Sequence, residues 1–223
     1  MPIIVNPSSE LGLDNRSYGD LQNRIADELV RTDLTTQIQN AIQTAIKQYE
    51  RVPLYFNQLR QEAAFSTVHG QEFYSSAASP LIASMVTLER VTVTVSGNRY
   101  TLNWRTPQYL EDTSVNPIVY GQPVDYAYYA ETLRFYPIPD NSYPIALTGI
   151  QRLFALQNAT DTNAWTSDGE LLIRSRAKFE LATHVLRDAD LAASMKAAEL
   201  DALSDLRGET MRRTPRRIRP TYF

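Results

Sequence analysis

The stretch TTQIQNAIQTAIKQY, residues 35–49, carries the clearest secondary-structure signal in the chain. Its apolar side chains recur at intervals of three and four residues, which is the periodicity of one face of an α-helix. The opposite face is polar and almost free of charge. The pattern predicts an amphipathic helix over residues 35–52, which Pro53 ends because proline cannot continue the helical hydrogen bonding. The apolar positions are Ile38, Ala41, Ile42, Ala45, Ile46 and Tyr49.

A second helix is predicted just before this one, over residues 17–31. Ser17 is a good N-terminal cap, and Asp20, three residues later, completes a variant of the capping box. Apolar residues then follow at a spacing of four, at Leu21, Ile25 and Leu29. The two helices are separated by only a few residues, so the sequence predicts an N-terminal helical hairpin. Residues 1–16 have no periodicity and are interpreted as an N-terminal arm.

The character of the chain changes over the β region, about residues 60–155. Residues 91–95, VTVTV, alternate strictly between apolar and polar side chains, which indicates a strand. Residues 96–98, SGN, favour a turn, and residues 99–104, RYTLNW, can form a second strand that runs back along the first. This order predicts a β-hairpin. A second hairpin is predicted over 124–136, and a further strand over 144–153. The region is therefore predicted to be a small antiparallel sheet.

The helical period returns after residue 167 and predicts a C-terminal helix pair over residues 168–187 and 189–208. Gly208 is a plausible end for the second of these helices, with an extension over residues 209–213 as the alternative. The order of helices, antiparallel sheet and helices is typical of the α+β class. We expect residues 17–206 to form one domain.

Charge is distributed unevenly along the chain. Residues 207–223 contain six arginines and one acid, Glu209, so this segment carries +5. Because the whole chain carries −3, the other 206 residues carry −8. An acidic body with a basic end indicates two regions with different roles. We therefore interpret residues 207–223 as an extended basic tail outside the folded core.

The tail has the features of a docking peptide. Its prolines forbid regular helix and favour an extended backbone, which lowers the entropy lost on binding. Arginine can bind carboxylates with two hydrogen bonds and can stack on aromatic rings. The tail also contains three apolar residues, Ile218, Tyr222 and Phe223, which could anchor it in pockets of a protein partner. Such residues would not be needed for phosphate binding alone. Contact with nucleic-acid phosphates and a merely solvated end both remain open as alternatives. The predicted docking residues are Arg212, Arg213, Arg216, Arg217, Ile218, Arg219, Pro220, Tyr222 and Phe223.

Motifs for catalysis or cofactor binding are not found in the sequence. The chain has no cysteine, and its two histidines, His69 and His184, are far apart and have no metal-binding spacing. Adjacent acids such as Glu111 and Asp112 are more common on a solvated face than in a glycosidase site. We therefore expect no enzyme, no metal and no cofactor. No apolar run is long enough to span a membrane.

The order of the pieces resembles the head-to-tail adaptor proteins, also called connector or tail accessory proteins, of tailed double-stranded DNA phages, especially short-tailed ones. The similar pieces are residues 18–34, YGDLQNRIADELVRTDL, residues 37–46, QIQNAIQTAI, and residues 132–141, TLRFYPIPDN. A helix pair and an extended tail complete the pattern. The resemblance covers residues 17–210 approximately and rests on pattern, since the family has no catalytic signature.

The resemblance implies a virion structural protein at the head-tail junction, assembled in the host cytoplasm. It implies a homo-oligomeric ring, usually of twelve subunits, that binds the portal protein above and a tail or nozzle protein below. DNA would pass through the lumen, and the C-terminal tail would dock on the portal. Residues on the polar face of the 35–52 helix would then lie between subunits or line the channel, with Gln37, Gln43 and Gln48 as candidates. The alternative function is a nucleic-acid-binding module with an arginine-rich arm.

Overall fold

The computed structural model describes residues 16–114 and 118–213. It has the predicted α+β order, with two N-terminal helices, a region of antiparallel strands and C-terminal helices. Within the described residues the helices are α1 (Tyr18–Leu29), α2 (Thr35–Tyr49), α3 (Pro80–Ser84), α4 (Pro107–Ser114), α5 (Glu170–Leu181), which continues as a π-helical turn over Ala182–Leu186, and α6 (Ala189–Arg213). None of them is long and apolar enough to cross a membrane.

Ten strands are described between α2 and α5. They are β1 (Gln58–Ser66), β2 (Phe73–Tyr74), β3 (Met85–Val95), β4 (Asn98–Thr101), β5 (Asn103–Trp104), β6 (Tyr120–Gly121), β7 (Asp125–Tyr129), β8 (Thr132–Tyr136), β9 (Ile138–Pro139) and β10 (Pro144–Gln151). One sheet has the order β1-β10-β3-β4 and a second the order β2-β8-β7-β5. Apart from the parallel pairs β5–β7 and β6–β9, the strands pair antiparallel.

The chain forms two compact units, where the sequence suggested one domain over residues 17–206. The helical unit runs up to Tyr49 and resumes at Phe154, and the sheet unit is Glu50–Leu153. The helical unit is therefore built from two distant parts of the chain. The sheet unit is an insertion between α2 and the loop that leads to α5.

The helical unit is organised around α5. This helix contacts α1, α2 and α6, and its buried side chains include Leu172, Ile173, Ala177 and Leu181. Helix α1 begins with the predicted capping box: the Asp20 amide donates to Ser17 Oγ over 3.1 Å, and the Ser17 amide donates to the Asp20 carboxylate over 3.0 Å. These two bonds satisfy amide groups that a helix start otherwise leaves without partners.

Both predicted hairpins are present in the sheet unit. Strands β3 and β4 are joined by Ser96 and Gly97, whose φ angles of 50° and 80° match a two-residue turn with both φ values positive. Strands β7 and β8 are joined in the same way at Ala130 and Glu131. Strand β10 then pairs between β1 and β3. The strands bury one apolar core that includes Val91, Val93, Leu133, Phe135, Ile145 and Leu147.

The last helix differs from the prediction. Helix α6 passes through Gly208 to Arg213, so of the two alternatives the extension of the helix over residues 209–213 is the one observed, and the predicted start of an extended tail at Arg207 falls within the helix. The physical reason is that Gly208 does not have the left-handed φ of a helix-ending glycine, and a single interior glycine costs a helix only about 1 kcal/mol. The part of the predicted tail after Arg213, and the predicted arm over residues 1–15, lie outside the described residues.

Gly149, in the middle of β10, is predicted to be essential for the fold. A Cβ atom at this position would lie 2.1 Å from the backbone oxygen of Thr87 on β3. We expect Gly149→Ala to lower the free energy of unfolding by at least about 3 kcal/mol, because two backbones must separate to admit the methyl group. Urea unfolding measures the change. Gly121→Ala is the matched control, since its nearest neighbour would lie at 3.8 Å; equal stability losses in both variants would contradict this account.

Candidate assembly surface

The three glutamines predicted to lie between subunits are all on the exposed face of α2. Gln37 and Gln48 are exposed near the two ends of the helix. The side-chain amide of Gln43 donates a 2.8 Å hydrogen bond to the carbonyl oxygen of Leu156. Gln43 therefore also fixes the loop that precedes α5, whereas Gln37 and Gln48 leave their polar groups on the surface.

Helix α2 carries almost no charge on its exposed face. Lys47 is the single charged residue in the helix, and the other exposed positions are uncharged polar residues. Helix α1 of the same unit is different, because its exposed face carries Asp20, Arg24, Asp27 and Glu28. Depletion of charge is a mark of the central part of protein interfaces, while solvated faces are normally rich in charge.

Helix α6 has a second surface of this kind, which we call the outer face of α6. It lies opposite the buried side of the helix and contains two large apolar side chains, Leu200 and Met211, which are 54% and 73% exposed. The residues Ala193 and Ala197 before them and Ser204 and Gly208 between them are small, and the exposed Arg207 also lies between them along one edge of this face. Their spacing of three and four residues keeps the whole set in one stripe along the helix. The set is Ala193, Ala197, Leu200, Ser204, Gly208 and Met211.

A buried carboxylate, Glu170, fixes the position of α5 within the helical unit. Its side chain is 5% exposed and forms ion pairs with three arginines. Arg24 on α1 is 2.9 Å away and Arg174 on α5 is 3.2 Å away, while Arg16 pairs with the other carboxylate oxygen. Several charge-assisted hydrogen bonds offset the cost of burying one carboxylate. The pairs connect the start of the chain to a helix about 150 residues later.

A second buried carboxylate, Glu199, connects α6 to the rest of the unit. It is fully buried and accepts a hydrogen bond from the Tyr49 hydroxyl at the end of α2. Lys196 pairs with it over 3.1 Å, and Arg176 on α5 lies 3.7 Å away. Burial and the hydrogen bond to Glu199 both raise the pKa of Tyr49, so the phenol remains a neutral donor at physiological pH.

These two carboxylates were not identified as key residues from the sequence. A signal for Glu199 exists, because it occupies the inward-facing position between Met195 and Ala202 in an otherwise apolar stripe. A charged residue at an inward position indicates a buried partner.

The predicted docking residues are only partly within the described chain. Arg212 and Arg213 form the end of α6, where cations interact favourably with the helix dipole, and Arg213 also pairs with Glu209. The other seven docking residues lie after Arg213, outside the described residues. The two histidines are in different units. His69 stacks on Tyr120, and His184 lies 3.2 Å from Glu180.

Groupings that could support metal chemistry are not seen in residues 16–114 and 118–213, where no set of three His, Asp or Glu side chains could hold a metal ion. The loop acid Asp161 accepts hydrogen bonds from the amides of Gln157 and Asn158 over 2.8 Å and 2.7 Å. These bonds lower the pKa of its carboxyl and give it a role in shaping the loop.

Removing the charge of Glu170 is predicted to destabilise the helical unit. We expect Glu170→Gln to lower the free energy of unfolding by about 2–3 kcal/mol, because three arginines then face a neutral amide. Thermal or urea unfolding measures the change. Glu209→Gln is the matched control, since its pair with Arg213 is exposed and should contribute less than about 0.5 kcal/mol. A Glu170→Gln variant as stable as this control would show that the ion cluster does not hold the unit together.

Comparison with known proteins identifies the family of the chain. The family model for the SU10 adaptor protein matches residues 16–220, which include α1 to α6 and all ten strands. A search of curated proteins finds no match. The family is one of phage adaptor proteins, which places the chain in the virion at the head-tail junction and gives it a structural role with portal and tail components as neighbours. The chain belongs to the SU10 adaptor protein family of phage head-to-tail adaptors.

Proposed function

We propose that the protein forms a ring, of about twelve copies, that joins the portal vertex of a short-tailed phage to its tail and lets DNA pass through the centre. The observation that carries the proposal is the family match over residues 16–220, which covers both units and most of the C-terminal segment. The ring would assemble in the host cytoplasm. Contacts repeated around a ring gain strength from effective concentration, so individually weak contacts suffice.

Docking on the portal is assigned in this proposal to the C-terminal segment. Because α6 ends at Arg213, the docking peptide is residues 214–223, TPRRIRPTYF. Ten residues can reach at most about 35 Å when extended. Arg216, Arg217 and Arg219 would bind acidic or aromatic portal groups, and Tyr222 and Phe223 would fill apolar pockets. Arg212 and Arg213 would contribute from the end of the helix.

The charge of the remaining chain suits a channel for DNA. Residues 1–206 carry −8, because the whole chain carries −3 and residues 207–223, with six arginines and Glu209, carry +5. A surface with the same sign as the DNA backbone does not retain the DNA as it passes. The uncharged face of α2 would be compatible with a position along the lumen or between subunits.

Deleting residues 214–223 should abolish binding to purified portal rings and leave thermal unfolding of the chain nearly unchanged. The deletion keeps the whole of α6, so loss of binding cannot be attributed to a damaged helix. Co-sedimentation with portal rings measures binding, and calorimetry measures the melting temperature. Binding of the truncated protein at full affinity would contradict the docking proposal.

Two variants separate peptide docking from contact with phosphate. Replacing Arg216, Arg217 and Arg219 by lysine keeps the charge but removes the planar, two-pronged hydrogen bonding of arginine. Replacing Tyr222 and Phe223 by alanine keeps all the charge. Docking predicts at least a tenfold loss of portal affinity in both variants, because each removes contacts that a protein surface recognises.

The arginine content of the tail also supports a second function, binding to nucleic acid. In that case duplex DNA should bind the full-length protein at low salt, with an affinity that falls steeply as salt increases. The two variants above would then keep nearly full DNA affinity. Fluorescence anisotropy with a labelled duplex decides between the functions, since the adaptor proposal predicts negligible binding near physiological salt.

A further inference from the structure

The outer face of α6 has no role within the described chain. A Cβ atom added at Gly208 would meet no atom within 4 Å, and the backbone there does not have a positive φ. Glycine is therefore not required by this chain at that position, although it weakens a helix relative to alanine. Leu200 and Met211 are exposed on the same face. Small residues between large exposed apolar ones allow the backbone of another helix to approach closely.

The exposed face of α2 has complementary properties. It is uncharged apart from Lys47, so little charge would be desolvated if it were covered. The outer face of α6 is bordered on one side by Asp201 and Asp205, which are exposed and lie one helical turn apart, and on the other side by the exposed Arg207. No salt bridge within 4 Å is found for Lys47, Asp201 or Asp205 among the described residues. Lys47 on α2 and the two aspartates on one border of the outer face of α6 therefore have opposite charges.

The position of the two helices suits head-to-tail contact between copies. Helix α5 is the central helix of the unit, and α2 and α6 both pack on it while exposing separate faces. An interface between two different surfaces of the same chain repeats from copy to copy and can close into a ring. A pairing of identical surfaces would give only a two-fold dimer.

We infer that the outer face of α6 in one copy packs against the uncharged face of α2 in the next copy, with Lys47 facing Asp201 and Asp205. The inference rests on the proposed ring and identifies the surfaces that form it. The contact would extend along most of α2, about 22 Å. Gly208 and Ser204 would be the points of closest approach between the two helices, at an axial distance of about 8–10 Å.

Cysteine cross-linking tests the pairing directly, because the chain contains no cysteine of its own. Thr44 lies one turn before Lys47, and Leu200 is next to Asp201, so both positions are at the inferred contact. Under oxidising conditions a mixture of Thr44→Cys and Leu200→Cys proteins should form a covalent dimer, while each protein alone should not. A chain with both substitutions should give a ladder of oligomers. Dimers of Leu200→Cys alone, or no cross-linking in the mixture, would overturn the inference.

Charge reversal provides an independent test in full-length protein. Lys47→Glu should reduce cross-linking of the mixture at least fivefold, and adding Asp201→Lys with Asp205→Lys should restore it. These side chains are exposed, so folding should be preserved. Failure of the triple change to restore cross-linking would show that these residues do not face each other. Asp27→Lys on the charged face of α1 is the matched control and should have no effect.

Substitutions at Gly208 distinguish an effect on packing between copies from an effect on folding. Gly208→Ala should raise the melting temperature by about 2–4 °C, since it adds helix propensity in open space. Gly208→Leu should melt no lower than wild type but lose cross-linking at least tenfold, because the larger side chain holds the helices apart. Undiminished cross-linking of Gly208→Leu would contradict close approach at this residue.

Electron microscopy of the same samples separates the two proposals. Rings together with Thr44–Leu200 cross-links support both. Rings without these cross-links leave the ring function intact and overturn the inferred surfaces. Cross-links without rings, with or without portal, support the α2–α6 contact and contradict the ring. Absence of both contradicts both.

Discussion

The buried carboxylates of Glu170 and Glu199 are the constraint on which the helical unit depends. The unit is assembled from the two ends of the chain, with the whole sheet unit inserted between them. Glu170 joins Arg16 and Arg24 to α5, and Glu199 joins Tyr49 to α6. Each carboxylate is shielded from water and has several donors, so removal of one partner leaves an uncompensated charge. These pairs also determine which faces of α2 and α6 remain outside.

The exposed faces differ in charge in a way that has functional meaning. Helix α1 presents a charged face typical of a solvated surface, whereas the exposed face of α2 has Lys47 as its single charge and the outer face of α6 has its charges, Asp201, Asp205 and Arg207, along its borders. A protein that must remain soluble before assembly cannot expose a large apolar patch. Uncharged polar residues on α2 and small residues on α6 are tolerated in water before assembly. They also lose little solvation free energy when another surface covers them. In the proposed ring, the acidic body would serve the DNA channel and the basic C-terminal segment would serve portal docking.

Much of the fold follows from local patterns that the sequence displays. The periodicity of Ile38 to Tyr49, the capping box at Ser17 and the alternation of residues 91–95 specify elements through contacts between near neighbours, and all three are confirmed. Helix α3 was not predicted, because its five residues are too few to show a period and only Ser79 and Pro80 mark its start. The extension of α6 past Gly208 could not be decided from the sequence, because a helical and a helix-ending glycine look alike there.

The exposed faces of the helices were less predictable than the elements. The polar face of α2 is evident from its composition and period, but the outer face of α6 is not, since Leu200 and Met211 look like core residues until the inward side of the helix is known. The ion clusters join residues about 150 positions apart, and no local pattern records such pairs.

The most direct measurement of the central claim is the native mass of the complex formed when full-length protein is added to purified portal rings. The ring proposal predicts one discrete species with a fixed number of added copies, about twelve per portal. A protein that remains monomeric and unbound, or that binds in a continuous range of copy numbers, would contradict it.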